Sequence, residues 1–279
     1  MRIIVPIKQV PETTAVKMDE ATGTMIREGV EAIINPLDLY AIEAAIQLRE
    51  AGAPGSVEVV AISMGPPKAA AALREAIAMG IDSAVLISDR AFAGSDTWAT
   101  SYVLAAAIRR IASQGTAATS AAVAPDLVLC GERATDGDTG QVGPGIASFL
   151  DLPVVTYVGQ IERVAGGKAR VRRLVEEGHE VLEVELPAVL TVVKEIASPR
   201  LPTLSGKLKA KKVEIPTWGP KELGVAADKL GLEGSPTRVV KIFRPKVARQ
   251  CRKLIALDER SIAKAVDELV GFLRERELV

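Results

Sequence analysis

Residues 126–144 read DLVLCGERATDGDTGQVGP and run into GIASFLD at 145–151. How this stretch is read decides the fold. DLVLCG is a short aliphatic run without polar alternation, the composition of a strand buried on both faces of a parallel sheet. GIASFLD has helical character. Between them lies a loop containing Gly137, Gly140 and Gly143, entered through Gly131. A strand, a glycine-rich loop and a helix in that order bring backbone N–H groups together on an anion, with the positive end of the helix behind them. The residues admit two readings. The loop either cradles a nucleotide phosphate, or its glycines only make turns while Asp136 and Asp138 cap N–H groups. The aspartates would repel phosphate, so in the first reading they cap or face ribose hydroxyls. GxGxxG after the first strand and a Walker loop are both absent.

Outward from this loop, strand and helix signals alternate. RIIVPIKQV (2–10) reads as one buried strand. Asn35-Pro36 opens a helix in which Leu39, Ile42, Ala45, Ile46 and Arg49 recur at helical spacing, with Gly52 as its stop. VEVVAISMGP is a strand ending at Met64-Gly65, and KAAAALREAIAMG a helix closed by Gly80. SAVLISD is a third strand, and DTWATSYVLAAAIRRIASQG a helix with Asp96 as N-cap. TAATSAAVAP reads as a linker, a helix extension or a mobile loop. Such alternation predicts right-handed crossovers and a mostly parallel sheet, with ligands beyond the carboxyl ends of the strands. The pattern then changes. VVTYVGQIERV, KARVRRLVEEG and HEVLEVELPAVLTVV are strand-like and predict an antiparallel extension, with a turn at Gly166-Gly167. From Ser198 the Pro- and Lys-rich sequence reads as an extended loop and an arm. Residues 258–279 form an amphipathic helix with Ile262, Ala265, Val266, Leu269 and Phe272 on one face. The expected fold is thus α/β: a mostly parallel sheet flanked by helices, with an antiparallel extension, over 1–217, and a C-terminal arm over 218–279.

Composition narrows the function. Lys plus Arg and Asp plus Glu number 35 each, so net charge gives no case for nucleic acid or a membrane surface. No apolar run approaches the ~20 residues that span a bilayer, and the N-terminus lacks signal-peptide features. A cytoplasmic location is expected. His179 is the only histidine, and Cys130 and Cys251 are far apart without CxxC spacing, so a zinc cluster and a Ser-His-Asp triad are disfavoured. The chemistry is expected to come from a bound cofactor, with no side-chain acid or base. Lys207, Lys209, Lys211 and Lys212 form either a solvated face or a patch that steers an acidic partner.

The run VRRLVEEGHEVLEVELPAVLT, Val171–Thr191, resembles the signature of electron-transfer flavoprotein beta subunits. It has Arg173, the Glu176-Glu177-Gly178 cluster, Glu180, Leu182, Pro187 and a closing Val-Leu-Thr. Val5-Pro6-Ile7-Lys8, Asn35-Pro36, Ser63-Met64-Gly65-Pro66, Ala78-Met79-Gly80-Ile81-Asp82, the glycine loop and Ser198-Pro199-Arg200…Lys209-Ala210-Lys211-Lys212 resemble that family in the same order.

The resemblance implies that the α/β fold is Rossmann-like, and it implies a heterodimer in which the C-terminal arm embraces an alpha subunit. It implies an adenine-nucleotide site at Pro6, Asn35, Pro36, Leu37, Asp38, Met64, Ala134, Thr135, Asp136, Gly137, Asp138, Thr139, Gly140, Gln141, Val142 and Gly143. Backbone N–H groups at Gly137–Gly140 would hold phosphate, and Asp38 or Asp136 would face ribose or adenine. A partner-recognition loop near Pro199–Leu208, including Pro199, Arg200, Leu204 and Lys207, would dock an acyl-CoA dehydrogenase-type protein. In simple carriers the beta subunit holds AMP; in the electron-bifurcating group it holds a second FAD that takes hydride from NADH. Asp-Gly-Asp-Thr followed by Gln-Val-Gly-Pro is similar to the bifurcating group and favours FAD over AMP. The alternatives are an AMP-holding structural subunit and a stand-alone adenine-nucleotide sensor or hydrolase.

Overall fold

The aliphatic runs build one nine-stranded sheet. In a computed structural model, residues 1–12, 32–53, 55–116, 119–122, 126–240 and 253–279 are described. The chain comprises two compact units, Met1–Val240 and Lys241–Val279. In the first unit the elements are β1 (Arg2–Pro6), β2 (Gln9–Pro11), β3 (Ala32–Ile34), α1 (Pro36–Ala51), β4 (Glu58–Met64), α2 (Ala70–Met79), β5 (Ser83–Ile87) and α3 (Thr97–Ala112). Then come β6 (Gly115–Thr116), β7 (Thr119–Ala122), β8 (Leu127–Gly131), α4 (Val142–Leu150), β9 (Val154–Ala165), β10 (Lys168–Val175) and β11 (Gly178–Glu185). The unit finishes with β12 (Ala188–Val192), α5 (Leu204–Lys212), β13 (Thr217–Trp218) and α6 (Pro220–Leu223). The second unit contains α7 (Glu259–Arg274).

The sheet order is β11-β10-β9-β12-β8-β1-β4-β5-β13. Every pairing from β9 to β13 is parallel, and β9-β10-β11 is antiparallel. This is the expected α/β class. Parallel strands need both faces covered, and the pleat provides for it. Ile3 and Val5 face a core formed with α1 and α2, which includes Ile42, Ile46, Leu73 and Ile77. Ile4 and Val128 face the opposite core with Val103, Ile108 and Ile146 of α3 and α4.

Four expectations are corrected. RIIVPIKQV is two strands: β1 ends at Pro6, and β2 pairs with β3 in a separate ribbon. The chain turns out of the sheet at Ile7 and Lys8. TAATSAAVAP is neither helix nor linker within its described part, because β7 pairs antiparallel with β6. HEVLEVELPAVLTVV also divides. β11 is an antiparallel edge strand, whereas β12 inserts in parallel between β8 and β9. All five residues of β12 are buried, consistent with an apolar run that lacks the alternation of HEVLEVEL. Pro187, which has no N–H for the ladder, separates the two. Finally, the stretch after Ser198 is not wholly extended. Thr203 caps α5 by accepting from the Gly206 N–H at 3.0 Å. The helix packs on α2 where a Cβ at Gly206 would fall on the Ala78 carbonyl.

Thr217–Trp218 add the last parallel strand, and the first unit continues to Val240. None of the helices among the described residues is long and apolar enough to cross a membrane.

Candidate functional site

The carboxyl ends of β1, β8 and β12 share one rim, and the glycine-rich loop starts there. Gly131 closes β8 opposite Val192. The Glu132 N–H donates to the Val192 carbonyl at 3.1 Å, tying the loop's first residue to the sheet. Ala134 then receives the N–H groups of Gly137 (3.3 Å) and Asp138 (2.8 Å), forming a tight turn, so of the Gly137–Gly140 N–H groups expected to hold phosphate these two are engaged within the loop itself. Asp138 and Gly140 both have positive φ, +55° and +64°. The left-handed conformation suits Gly without cost and Asp better than most residues.

The other half of the rim is the start of α1. Asn35 is fully buried. Its side-chain oxygen accepts the Thr135 N–H at 3.1 Å. Its Nδ2 donates to the Arg133 carbonyl and to Asp38 Oδ1, both at 2.9 Å. Asp38 Oδ2 accepts the Lys8 N–H at 2.7 Å. Lys8 Nζ meets Asp136 Oδ1 at 2.7 Å, and Arg133 Nε meets Asp138 Oδ1 at 3.0 Å. Each loop aspartate therefore has a cationic partner, Arg133 being shared with Glu132 at 3.3 Å. Burial drives the Asp38 carboxyl up to about 7, against the lowering effect of its Asn35 and Lys8 bonds; the Asp136 charge adds to the rise. Burial likewise pushes the Cys130 thiol up, with the Asp38 charge adding to it, so this cysteine is an inert core group. Cys251 lies outside the described residues.

The third component is the first turn of α4. Among the described residues, the N–H groups of Thr139, Gly140, Gln141, Val142 and Gly143 donate to no protein acceptor. The first N–H groups of a helix have no partner within it. Of these residues Thr139 and Gln141 are exposed, Gly140 and Val142 half-buried, and Gly143 buried against Thr191. Gly143 sits where a Cβ would approach Thr191 Cγ2 to 2.5 Å, which seats this turn against β12. Gln141 is held from the side by Thr97 Oγ1, 2.9 Å from its Oε1. Among the described residues, and apart from its two chain neighbours, none lies within 4 Å of a Cβ built on Gly137.

The residues expected from the sequence thus fall into groups. Asn35 meets the 134–143 stretch directly, through Thr135; Leu37 and Asp38 lie against Gly131 at the end of β8, and Pro36 is the first residue of α1. Pro6 is buried at the end of β1, paired with Ile62. Met64 ends β4, half-buried and packed toward α3 and α4. Lys8, Thr97, Arg133 and Thr191 complete the site and were not assigned to it from sequence. Only Lys8, a charged residue at the end of a buried strand, carried a local signal.

The segment expected to recognise a partner is anchored at its base. Arg200 donates from Nε to Glu43 Oε2 (2.8 Å), from Nη2 to Glu43 Oε1 (2.9 Å), and from Nη1 and Nη2 to Glu50 (2.6 and 2.9 Å). Pro199 is half-buried beside it, while Leu204 (76% exposed) and Lys207 point outward. Burial alone would raise the Glu43 carboxyl, but its Arg200 bonds outweigh burial and hold it below the usual range. Arg200 lowers Glu50 too. A depressed carboxyl stabilises the fold above its unfolded value and loses that contribution as pH falls through its folded one. Arg200→Gln should therefore cost about 1–2 kcal/mol at pH 7, discounted for solvent at the guanidinium. Denaturant titrations should show the deficit shrinking below about pH 4.5, the ordinary carboxylate range. An equal deficit at pH 7 and pH 3.5 would exclude the ion pairs as its cause.

The electron transfer flavoprotein domain matches residues 22–223. Over the full length of both chains, the sequence is 44% identical to subunit CarD of the caffeyl-CoA reductase–Etf complex of Acetobacterium woodii. It is 45% identical, again end to end, to the electron transfer flavoprotein subunit beta of Thermoanaerobacterium thermosaccharolyticum. Protein FixA of Azotobacter vinelandii is 41% identical over 95% of this chain and 92% of its own length. Most of the chain is spanned by the family's domain and its whole length by relatives named as beta subunits, so the chain belongs to the electron transfer flavoprotein family, on the beta-subunit side.

Proposed function

We propose that the chain is the FAD-holding beta half of a cytoplasmic, heterodimeric electron-transfer flavoprotein of the bifurcating kind. It passes electrons from NADH, by way of the alpha-subunit FAD, to an acyl-CoA dehydrogenase-type partner. The observation that carries this reading is the row of open N–H groups from Thr139 to Gly143 at the start of α4. The donor set fits a pyrophosphate. It combines unpaired amides and the positive end of a helix with two aspartates that each meet a cation, Lys8 or the Arg133 shared with Glu132. Gly137 has no Cβ, and among the described residues beyond its chain neighbours nothing crowds the position one would take, which supports close approach of a ligand there.

In this arrangement Thr139–Gly143 bind and orient the phosphates, Lys8 and Arg133 hold the aspartates away from them, and Thr191 and Thr97 fix the turn. FAD supplies the hydride and one-electron chemistry when bound. Kinship with a subunit of a caffeyl-CoA reductase complex supports a CoA-thioester oxidoreductase as the downstream partner.

The test is nucleotide content. Purified with its alpha subunit and treated with acid, the heterodimer should release two FAD and no AMP. One FAD with one AMP would make the chain a structural AMP holder and overturn the assignment. Gly137→Val should reduce the beta-held nucleotide without lowering stability, because a Cβ there meets none of the described residues beyond its chain neighbours. Full retention would remove Gly137 from the site.

A further inference from the structure

Resting on this reading of the site, we propose that Asp38 and Asn35 are positioning residues. Together they form a hydrogen-bond relay whose polarity, set by an ionised Asp38, holds the glycine-rich loop in its nucleotide-binding shape.

The relay follows from counting donors and acceptors. The Lys8 N–H can only donate, so Asp38 Oδ2 must accept from it. Thr135 N–H can only donate and the Arg133 carbonyl can only accept, so the Asn35 amide has one orientation that satisfies both. In that orientation the second Nδ2 hydrogen points at Asp38 Oδ1, which must also accept. Asp38 thus has two acceptor duties and no donor duty, and the carboxylate form fulfils both with no proton to misplace. A proton on Oδ2 would oppose the Lys8 N–H. A proton on Oδ1 would force Asn35 to flip, which would turn its Nδ2 toward the Thr135 N–H and deprive the Arg133 carbonyl of its donor.

The charged and titratable neighbours are few. Lys8 on the turn after β1 favours the ionised form, while Asp136 on the loop disfavours it; Cys130 on β8 is a neutral thiol, and Arg133 is engaged with Glu132 and Asp138. Burial costs the carboxylate enough to bring its midpoint to about 7. A buried group poised there, in a network that works in one charge state only, is typical of a functional rather than a stabilising role. Its raised value favours folding below the usual carboxylate range and loses that contribution as pH rises toward 7. Loop geometry needs the opposite state. The two demands conflict, and the relay is what retains the carboxylate.

The expected result is a pH step in nucleotide retention. With a midpoint near 7, the ionised fraction falls from roughly 0.9 at pH 8 to 0.1 at pH 6, so apparent affinity for the beta-held nucleotide should fall about tenfold. The experiment uses the intact heterodimer, diluted at pH values from 6 to 8.5, with retained FAD and AMP separated and quantified. The alpha-held FAD serves as an internal constant. In parallel, hydrogen exchange at the Thr135 amide, corrected for intrinsic pH dependence, should report opening of the loop without reference to any ligand. In Asp38→Asn and in Asn35→Ala, retention should be low at every pH, the step should vanish, and Thr135 should lose protection throughout. Either variant suffices if the other does not fold. Variants that keep the step, or a wild-type complex with flat retention across this range, would overturn the relay while leaving the site assignment intact. A wild-type complex with no beta-held nucleotide would overturn both.

Discussion

Gly131→Ala should lower the stability of the Met1–Val240 unit by about 3 kcal/mol and, under the proposed function, empty the proposed nucleotide site in the same step. Gly131 is the last residue of β8, and its Cα faces the first turn of α1. A Cβ there would fall on Asp38 Oδ1 and lie 2.8 Å from the carbonyl carbon of Leu37. Neither atom can yield cheaply. Leu37 presents backbone, and the Asp38 carboxylate is held by Lys8 and Asn35. Further along, α1 is pinned to the sheet by Ala41, Ile42, Ala45 and Ile46, all fully buried. Relief requires the start of α1 to tilt away from β8, and that breaks the bonds from Asn35 to Arg133 and Thr135. For a unit of this size the thermal midpoint should fall by roughly 6–12 °C, with nucleotide content falling in parallel. Gly137→Val provides the contrast, since it should lower nucleotide content alone. A Gly131→Ala protein with an unchanged midpoint would show that α1 does not approach β8 as closely as the structure places it.

The sequence revealed the local devices and concealed the long-range joins. Asp96 reads as a cap from its position alone, and its side chain does accept the Ala99 N–H at 3.0 Å. Pro36 opens α1 because a missing N–H costs nothing at a helix start, and Gly166-Gly167 turns the β9–β10 hairpin as read. Each of these depends on a few consecutive residues. β12 does not. Its partners β8 and β9 lie on the far side of an intervening hairpin, and only its unbroken burial distinguishes it from the exposed strand before it. α5 was obscured because Gly206 and four lysines argue locally against a packed helix. Gly206 is there for close approach to α2, and Lys209 reaches the Ile81 carbonyl at 3.3 Å rather than facing only solvent. The site divides in the same way. The glycine loop and the Asn35–Asp38 turn were both legible, but Asn35 meets Arg133 and Thr135 across about a hundred residues. No local pattern encodes that contact, nor the Asn35–Asp38 bond that continues it.

Val266→Asp with Leu269→Asp should abolish the heterodimer at micromolar concentrations while leaving the thermal midpoint of the Met1–Val240 unit unchanged. Helix α7 is locally well specified: Asp258 accepts the Ser261 N–H at 2.7 Å, and the serine hydroxyl accepts the Asp258 N–H in return. Yet Ile262, Val266, Leu269 and Phe272 are each about half exposed along one stripe. A helix of 16 residues is marginal in water without a surface to bury such a face. Covering the exposed halves of these four side chains is worth roughly 1 kcal/mol apiece, and the resulting ~4 kcal/mol corresponds to about a thousandfold in affinity. Two aspartates would remove about half of that gain and add the cost of burying unpaired charge. Under the proposed function the covering surface belongs to the alpha subunit, so co-purification and titration calorimetry should both register the loss. Conservative Val266→Leu and Leu269→Met changes keep the stripe apolar and should bind within a few-fold of the unaltered chain. If the double aspartate variant still binds the alpha subunit normally, the contact lies on the Met1–Val240 unit, and the apolar face of α7 must serve some other surface.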